Sequence, residues 1–431
     1  MKKTTFVISI VLIAVLLFSQ VTASAYTPTF EVIAPNVCLM NLDTGYVLYQ
    51  KGEDERIAPA STCFLMVALV TAENLSDWSE TVTIRKADSD SLLGTGALVS
   101  NLKDGEQVTV EQLLHFLLIS SYNDVALYLA NRVAGGEELF VELMNEKAAE
   151  LGMSGTQYVT PVGLTREGQF TTVSDMMKLG KAAFANEALT AIMAKARFTV
   201  PATNLSGERI LPNTNYMVDS YTSHYYKRMV AGKTGNGDEG RCLISTAARD
   251  GEHYLCAVAR CPSDSRQEFT DTRNLYEWAF DSFRYKTVLS KGDLVDISVS
   301  VNYSWDVDEM TLCAGNTVTA LLPKDADLST VEYKATLNDA YDAPVKEGDV
   351  MGTADIVFAG ETIGVVQLVA SRSVDGSFVL RAWHVLSVVF GNWIVRIVLI
   401  LLLIGFVAAT VVANVRAKRA RDKKLRLKKR L

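Results

Sequence analysis

Three stretches of the chain differ in how apolar and polar positions alternate. The first runs from Val37 to about Ser282 and mixes helical and strand periods. Val37–Lys51 (VCLMNLDTGYVLYQK) holds two β-rich runs around Asp43-Thr44-Gly45, where glycine is free to take positive φ, and predicts a hairpin. Ser61–Glu73 is apolar almost throughout and predicts a buried helix. Val108–Gly135 gives two helical runs broken around Ser120–Asn123. Gly136–Gly152 predicts an amphipathic helix closed by glycine, and Thr171–Asn186 another with Thr or Ser near its start. Val230–Ala248 and His253–Arg260 alternate apolar and small polar residues, as adjacent strands turning at Asp250-Gly251. Asp271–Phe283 reads as a closing helix.

From Lys291 to Ser373 the helical period stops. LVDISVSV, TVTALLP, VEYKATL and GVVQLVAS are short strands between Gly, Asp and Pro turns, which predicts a small β-rich domain. A short lead-in then reaches Ile397–Val415, apolar except for Thr410 and Asn414 and long enough to cross a bilayer. The expected division is 1–25 signal peptide, 26–285 mixed α/β domain, 291–378 β-rich domain, 396–415 transmembrane helix and 416–431 basic tail.

The ends give the chain an address. Met1–Ala25 has a Lys2-Lys3 start, a short apolar core and an Ala23-Ser24-Ala25 ending, the form of a secretory signal peptide cut after Ala25. The last sixteen residues carry ten Lys/Arg against Asp422, so they should stay cytoplasmic. The expectation is an exported ectodomain held by one C-terminal membrane pass. The formal charge of −7 hides an asymmetry: without Lys2, Lys3, Arg396 and the tail, 29 basic and 48 acidic residues remain, about −19. Such a surface excludes nucleic acid as a partner. Six cysteines show no metal spacing and the four histidines are scattered, so no metal or cofactor is expected. Most of the cysteines read as small core residues, with a bridge within Cys242, Cys256 and Cys261 left open.

Three short motifs carry candidate chemistry. Ser61-Thr62-Cys63-Phe64 follows Pro59-Ala60 at the mouth of the expected buried helix. Ser121-Tyr122-Asn123 falls at the break between two helices, and Lys233-Thr234-Gly235 in a strand. Singly, the first two read as helix caps and the third as a strand end. In order, with LDTGYVLYQKGEDERIAPAST, FVELMNEKAAELGM, TPVGL, TTVSDMM and KEGDVMGTADIVFAGETIGVVQLVAS, they resemble the low-molecular-weight penicillin-binding proteins, the serine D-alanyl-D-alanine carboxypeptidases.

That resemblance implies an α/β (α+β) penicillin-binding-protein and β-lactamase-like domain, a small C-terminal β-rich domain and a single C-terminal transmembrane helix. It implies Ser61 as nucleophile, Ser121 as proton relay and Asn123 as holder of the substrate amide. Lys233 and Thr234 would bind the terminal carboxylate, with Gly235 admitting the substrate backbone. Implied partners are peptidoglycan stem peptides ending in D-Ala-D-Ala, β-lactams and proteins of cell-wall synthesis. The family's first motif is Ser-x-x-Lys, whose lysine takes the serine proton. Here Phe64 stands at that position, and the general base is lost. Phe64 is expected to fill space used by an acyl group. Val162 stands where the family often has histidine, and GNGDEGRC after Lys233-Thr234 is unusually acidic. The only Ser-x-x-Lys in the chain, Ser100–Lys103, lies in a polar segment, and Ser121 has no lysine one turn away. Three readings follow: a carboxypeptidase with an unusual base, a catalytically weak or dead relative that binds wall peptides or a partner, or a hydrolase of other acyl compounds or β-lactams.

Overall fold

The computed structural model describes residues 27–428, with side chains to 421. The expected signal peptide lies outside the described residues. The chain divides into two compact units, at Arg284 and Tyr285.

The first unit opens with the expected hairpin, β1 (Asn36–Asn41) and β2 (Val47–Lys51), turned by Gly45 at φ 75. A 3-10 turn, Ala60–Cys63, leads into α1 (Phe64–Asn74), whose residues Phe64–Thr71 are all buried. A helix apolar on every side has no solvent face, and α1 accordingly runs inside a bundle of helices. Two short strands, β3 (Thr81–Thr83) and β4 (Gln107–Thr109), pair before α2 (Val110–Leu118). A capping box starts α2: Gln112 N–H donates to Thr109 Oγ1 at 3.1 Å, and Thr109 N–H to Gln112 Oε1 at 2.9 Å. After the expected break come α3 (Asn123–Ala134), ended by Gly135 at φ 78, and α4 (Glu137–Glu150). Next are α5 (Val173–Ala185), capped by Thr172, and the short α6 (Glu187–Met193).

A minor hairpin, β5 (Arg197–Val200) and β6 (Arg209–Pro212), precedes the main strands. Val230–Ala248, expected as one run, is two strands, β7 (Met229–Gly237) and β8 (Gly240–Arg249). The turn between them works because Gly240 sits at φ 123 with its α-carbon against the Arg260–Cys261 backbone, where no Cβ fits. β9 (Glu252–Cys261) completes an antiparallel sheet in the order β2-β1-β9-β8-β7. Helix α5 packs close on this sheet, its Gly180 against Ile244 and Leu255. Helix α7 (Gln267–Ser282), which starts four residues before the expected Asp271, also packs on β8 and β9. All six cysteines are free thiols, and none of Cys242, Cys256 and Cys261 is bridged.

The second unit is β-rich. β10 (Phe283–Leu289) runs across the division and pairs with a strand further on. Beyond it lie β11 (Leu294–Asn302), β12 (Glu309–Ala314), β13 (Val318–Pro323), β14 (Glu332–Leu337), β15 (Ala340–Asp342), β16 (Val350–Phe358) and β17 (Glu361–Ala370). Six of them form one sheet, β14-β16-β17-β12-β11-β15, around a core that includes Val295, Leu312, Ile356 and Leu368; β10 pairs with β13.

The lead-in to the apolar run is itself a helix, α8 (Phe378–Gly391). Its Arg381 lies over the Tyr303 ring at 5.5 Å, and His384 meets the same ring edge-on at 5.4 Å. Its apolar side chains stay open, Phe378 by 85% and Trp383 by 71%. Asn392 interrupts the helix, and α9 (Trp393–Lys428) follows. Residues Trp393–Arg421 of α9 have a mean hydropathy of 2.8 over their most apolar window and are long enough to cross a membrane.

Candidate active site

The N-terminus of α1, the α2–α3 turn and strand β7 bring the three motifs to one place. Ser61 is half-buried in the 3-10 turn, after Ala60 in the left-handed region at φ 45. Thr62 N–H donates to Pro59 O at 3.1 Å and its hydroxyl donates to the same oxygen, which fixes the turn. The turn lies hard against β7. A Cβ on Gly235 would meet Thr62 Cγ2 at 3.1 Å, and one on Gly237 would meet Ala60 Cβ at 3.1 Å. Thr62 thus fills the space a side chain on Gly235 would need.

Phe64 is fully buried. A Cβ on Gly163 would lie 3.1 Å from Phe64 Cε1 and 3.2 Å from Ser61 Cα, so the 161–163 turn closes over both residues. The neighbouring Cys63 thiol points to Pro161 O at 3.6 Å. The ring belongs to the core and packs, with Ser61, against the 161–163 turn.

On the other side, Ser121 adopts φ 61, a conformation few residues other than glycine accept. Asn123 anchors two loops: its Oδ1 accepts from Leu98 N–H at 2.9 Å, and its Nδ2 donates to Val162 O. Lys233 is fully buried, and its Nζ is hydrogen-bonded to Ser121 Oγ and, at 2.8 Å, to Thr234 O. Thr234 Oγ1 donates to Thr214 Oγ1 at 2.6 Å. The Lys233 nitrogen lies 5.5 Å from the centre of the Phe64 ring. Ser61 Oγ has no hydrogen-bond partner among the described residues.

Burial sets the electrostatics. Loss of solvation pulls the Lys233 amine down to about 7 and pushes the Cys63 and Cys242 thiols beside it up to about 12. Among the described residues no carboxylate forms an ion pair with Lys233. Beside the 3-10 turn opens a polar cleft of about 420 Å³ lined by Thr95, Gly163, Arg166, Asn236, Gly237 and Asp238, among others. No group of three or more His, Cys, Asp or Glu that could hold a metal occurs among the described residues.

Ser61, Ser121, Asn123, Lys233, Thr234 and Gly235 therefore share one neighbourhood. Two things were not legible in the sequence. Thr214, which engages Thr234, carries no motif of its own. The lysine sought one helical turn from Ser121 stands instead 112 residues away.

A family model of D-alanyl-D-alanine carboxypeptidases matches residues 20–260, and one of the penicillin-binding protein 5 C-terminal domain matches residues 283–376. D-alanyl-D-alanine carboxypeptidase DacC of Escherichia coli (strain K12) is 31% identical, over 86% of this chain and 93% of its own length. The DacF carboxypeptidase of Bacillus subtilis (strain 168) is 27% identical, over 77% of this chain and 83% of its own. Penicillin-binding protein 5 from Haemophilus influenzae has the same fold, with a TM-score of 0.62 at 23% identity, over 81% of this chain and 99% of that one. The Streptomyces K15 DD-transpeptidase aligns with a TM-score of 0.54 at 26% identity, over 59% of this chain and all of that one.

Proposed function

The chain belongs to the D-alanyl-D-alanine carboxypeptidase family, and from this we propose that it is an exported, membrane-held member that binds stem peptides but turns them over slowly at best. The observation that carries this reading is Phe64, sealed beneath Ser61 where a base would stand. A serine hydroxyl is a weak nucleophile until something takes its proton. A positioned base contributes about 10²–10⁴ in rate, and loss of one member of a catalytic unit can cost about 10⁶. What survives such a loss is substrate binding and oxyanion stabilisation.

Asn123 and Thr234 keep polar atoms near the cleft, and we assign them to binding of the peptide amide and terminal carboxylate. Ser61 keeps the place of the nucleophile without its activation. The C-terminal helix α9 supports membrane attachment, and its basic end favours a cytoplasmic tail. The test is release of D-alanine from a D-Ala-D-Ala peptide by the full chain in detergent, beside calorimetric titration of the same peptide. Binding without appreciable release is the expected result. Release at a rate typical of a working peptidase would overturn it.

A further inference from the structure

Only one hydroxyl in this site has a basic nitrogen bonded to it. Lys233 Nζ is closed off from water, has no ion-pair partner among the described residues, and is bonded to Ser121 Oγ and the backbone oxygen of Thr234. The titratable groups acting on it are the thiols of Cys63 and Cys242, both neutral at these positions, and Phe64 presents its ring. An amine with neither water nor counter-ion gives up its proton readily, and the neutral amine is an acceptor and a base. Ser121 faces it from a left-handed backbone conformation just before α3, nine-tenths buried but not sealed. Backbone strain of this kind persists only where surrounding structure imposes it. Here the imposing contacts are Asn123 on two loops and Lys233 on the hydroxyl.

We propose that Ser121, with Lys233 as its base, is the acyl-accepting hydroxyl of this chain. The proposal rests on the reading above, that the cleft takes D-Ala-D-Ala peptides and their β-lactam mimics. The Ser121 proton passes to the Lys233 amine as Oγ bonds to the carbonyl carbon. The carbonyl C–N bond then breaks, and the Lys233 ammonium returns the proton to the departing nitrogen. With a β-lactam that nitrogen stays tethered to the acyl group. No oxidant or further reactant is involved.

The experiment is labelling of the full chain in detergent with a fluorescent penicillin, followed by trypsin digestion and fragment sequencing by mass spectrometry. Ser61 falls on the tryptic peptide 57–85 and Ser121 on 104–132. The adduct is expected on Ser121, and Ser121→Ala should abolish it. Labelling should speed up about tenfold between pH 6 and 8, as the neutral fraction of an amine titrating at about 7 rises. An adduct on Ser61 overturns the proposal. So does a rate that falls over this range, since a lysine that must be charged to hold a carboxylate gives the opposite slope. Absence of any adduct after prolonged exposure overturns it too. Should Ser121→Ala fail to fold, the peptide map of the unaltered chain decides alone. Calorimetric binding of a D-Ala-D-Ala peptide to the same preparation is a separate readout: its loss defeats the stem-peptide reading, its persistence without an adduct only this inference.

Discussion

The two sides of the site, each a wall of packed residues beside the cleft, differ in how they hold their residues. On one, the 3-10 turn and α1 present Ser61 above an apolar seal of Cys63, Phe64 and the 161–163 turn. On the other, the α2–α3 turn and β7 interlock through Lys233–Ser121, Thr234–Thr214 and Asn123–Val162. Position 64 answers to the core, so an aromatic ring can replace a base there and be absorbed as buried area. Positions on the second wall answer to each other, and removing one strands the polar atoms of the next. Polar residues can persist on such a wall for folding alone. Their presence is therefore weaker testimony to activity than the identity of residue 64.

Phe64→Lys is the strongest way to break that contrast. A lysine beneath Ser61 restores a base on the first wall, and penicillin labelling should rise by about 10²–10⁴. The adduct should then move to the peptide 57–85, while the melting temperature falls because a charge replaces a buried ring. Phe64→Ala separates the two effects: it should cost about 3–5 kcal/mol and gain no labelling. Thermal melting would register this as a fall of roughly 10 °C.

The second wall is tested through pH. An unfolded lysine titrates near 10.4, whereas Lys233 in place sits at about 7. Between these values the unfolded chain binds more protons, so stability should rise with pH. Below about 7 the cost of charging the buried amine is fully present, and it is relieved as pH climbs toward 10. Lys233→Met lacks this term. The difference in unfolding free energy between the two proteins, from denaturant titration, should therefore shift in favour of the natural chain from pH 7 to 10, by a few kcal/mol at most. A gap independent of pH would mean that Lys233 keeps its proton. The smallest effect should come from Gly163→Ala, about 1–3 kcal/mol, since φ 70 is strained for alanine and its methyl crowds the Phe64 ring. In a Phe64→Ala background part of that cost should vanish, which denaturant titration of the double mutant would reveal.

Much of the first unit was legible because its signals are local. Asp43-Thr44-Gly45 marked the hairpin and the unbroken apolar run from Phe64 marked α1. The turn between β7 and β8 was missed because Val230–Ala248 alternates smoothly, and only the Arg260–Cys261 backbone makes Gly240 necessary. Helix α8 was missed because its apolar residues merge with those of α9, and a single Asn392 parts them. In the site the three motifs were visible, but their pairing was not. The Lys233–Ser121 contact depends on how β7 lies against the α2–α3 turn, a tertiary fact no spacing rule contains. The packing of Thr62 against the bare α-carbon of Gly235 is likewise a tertiary fact.

Helix α8 also governs how the protein can be handled once α9 is cut away. A recombinant fragment ending at Gly391 would keep Phe378, Trp383, Leu386 and Phe390 open to buffer. An exposed apolar surface of that kind drives self-association. A fragment ending at Ser377 sheds all four and gives up little beyond the Arg381 hydrogen bond to Ala343 O and the contacts of Arg381 and His384 with Tyr303. In size-exclusion chromatography without detergent the shorter fragment should elute as a monomer and the longer one as aggregates, although they differ by a single helix.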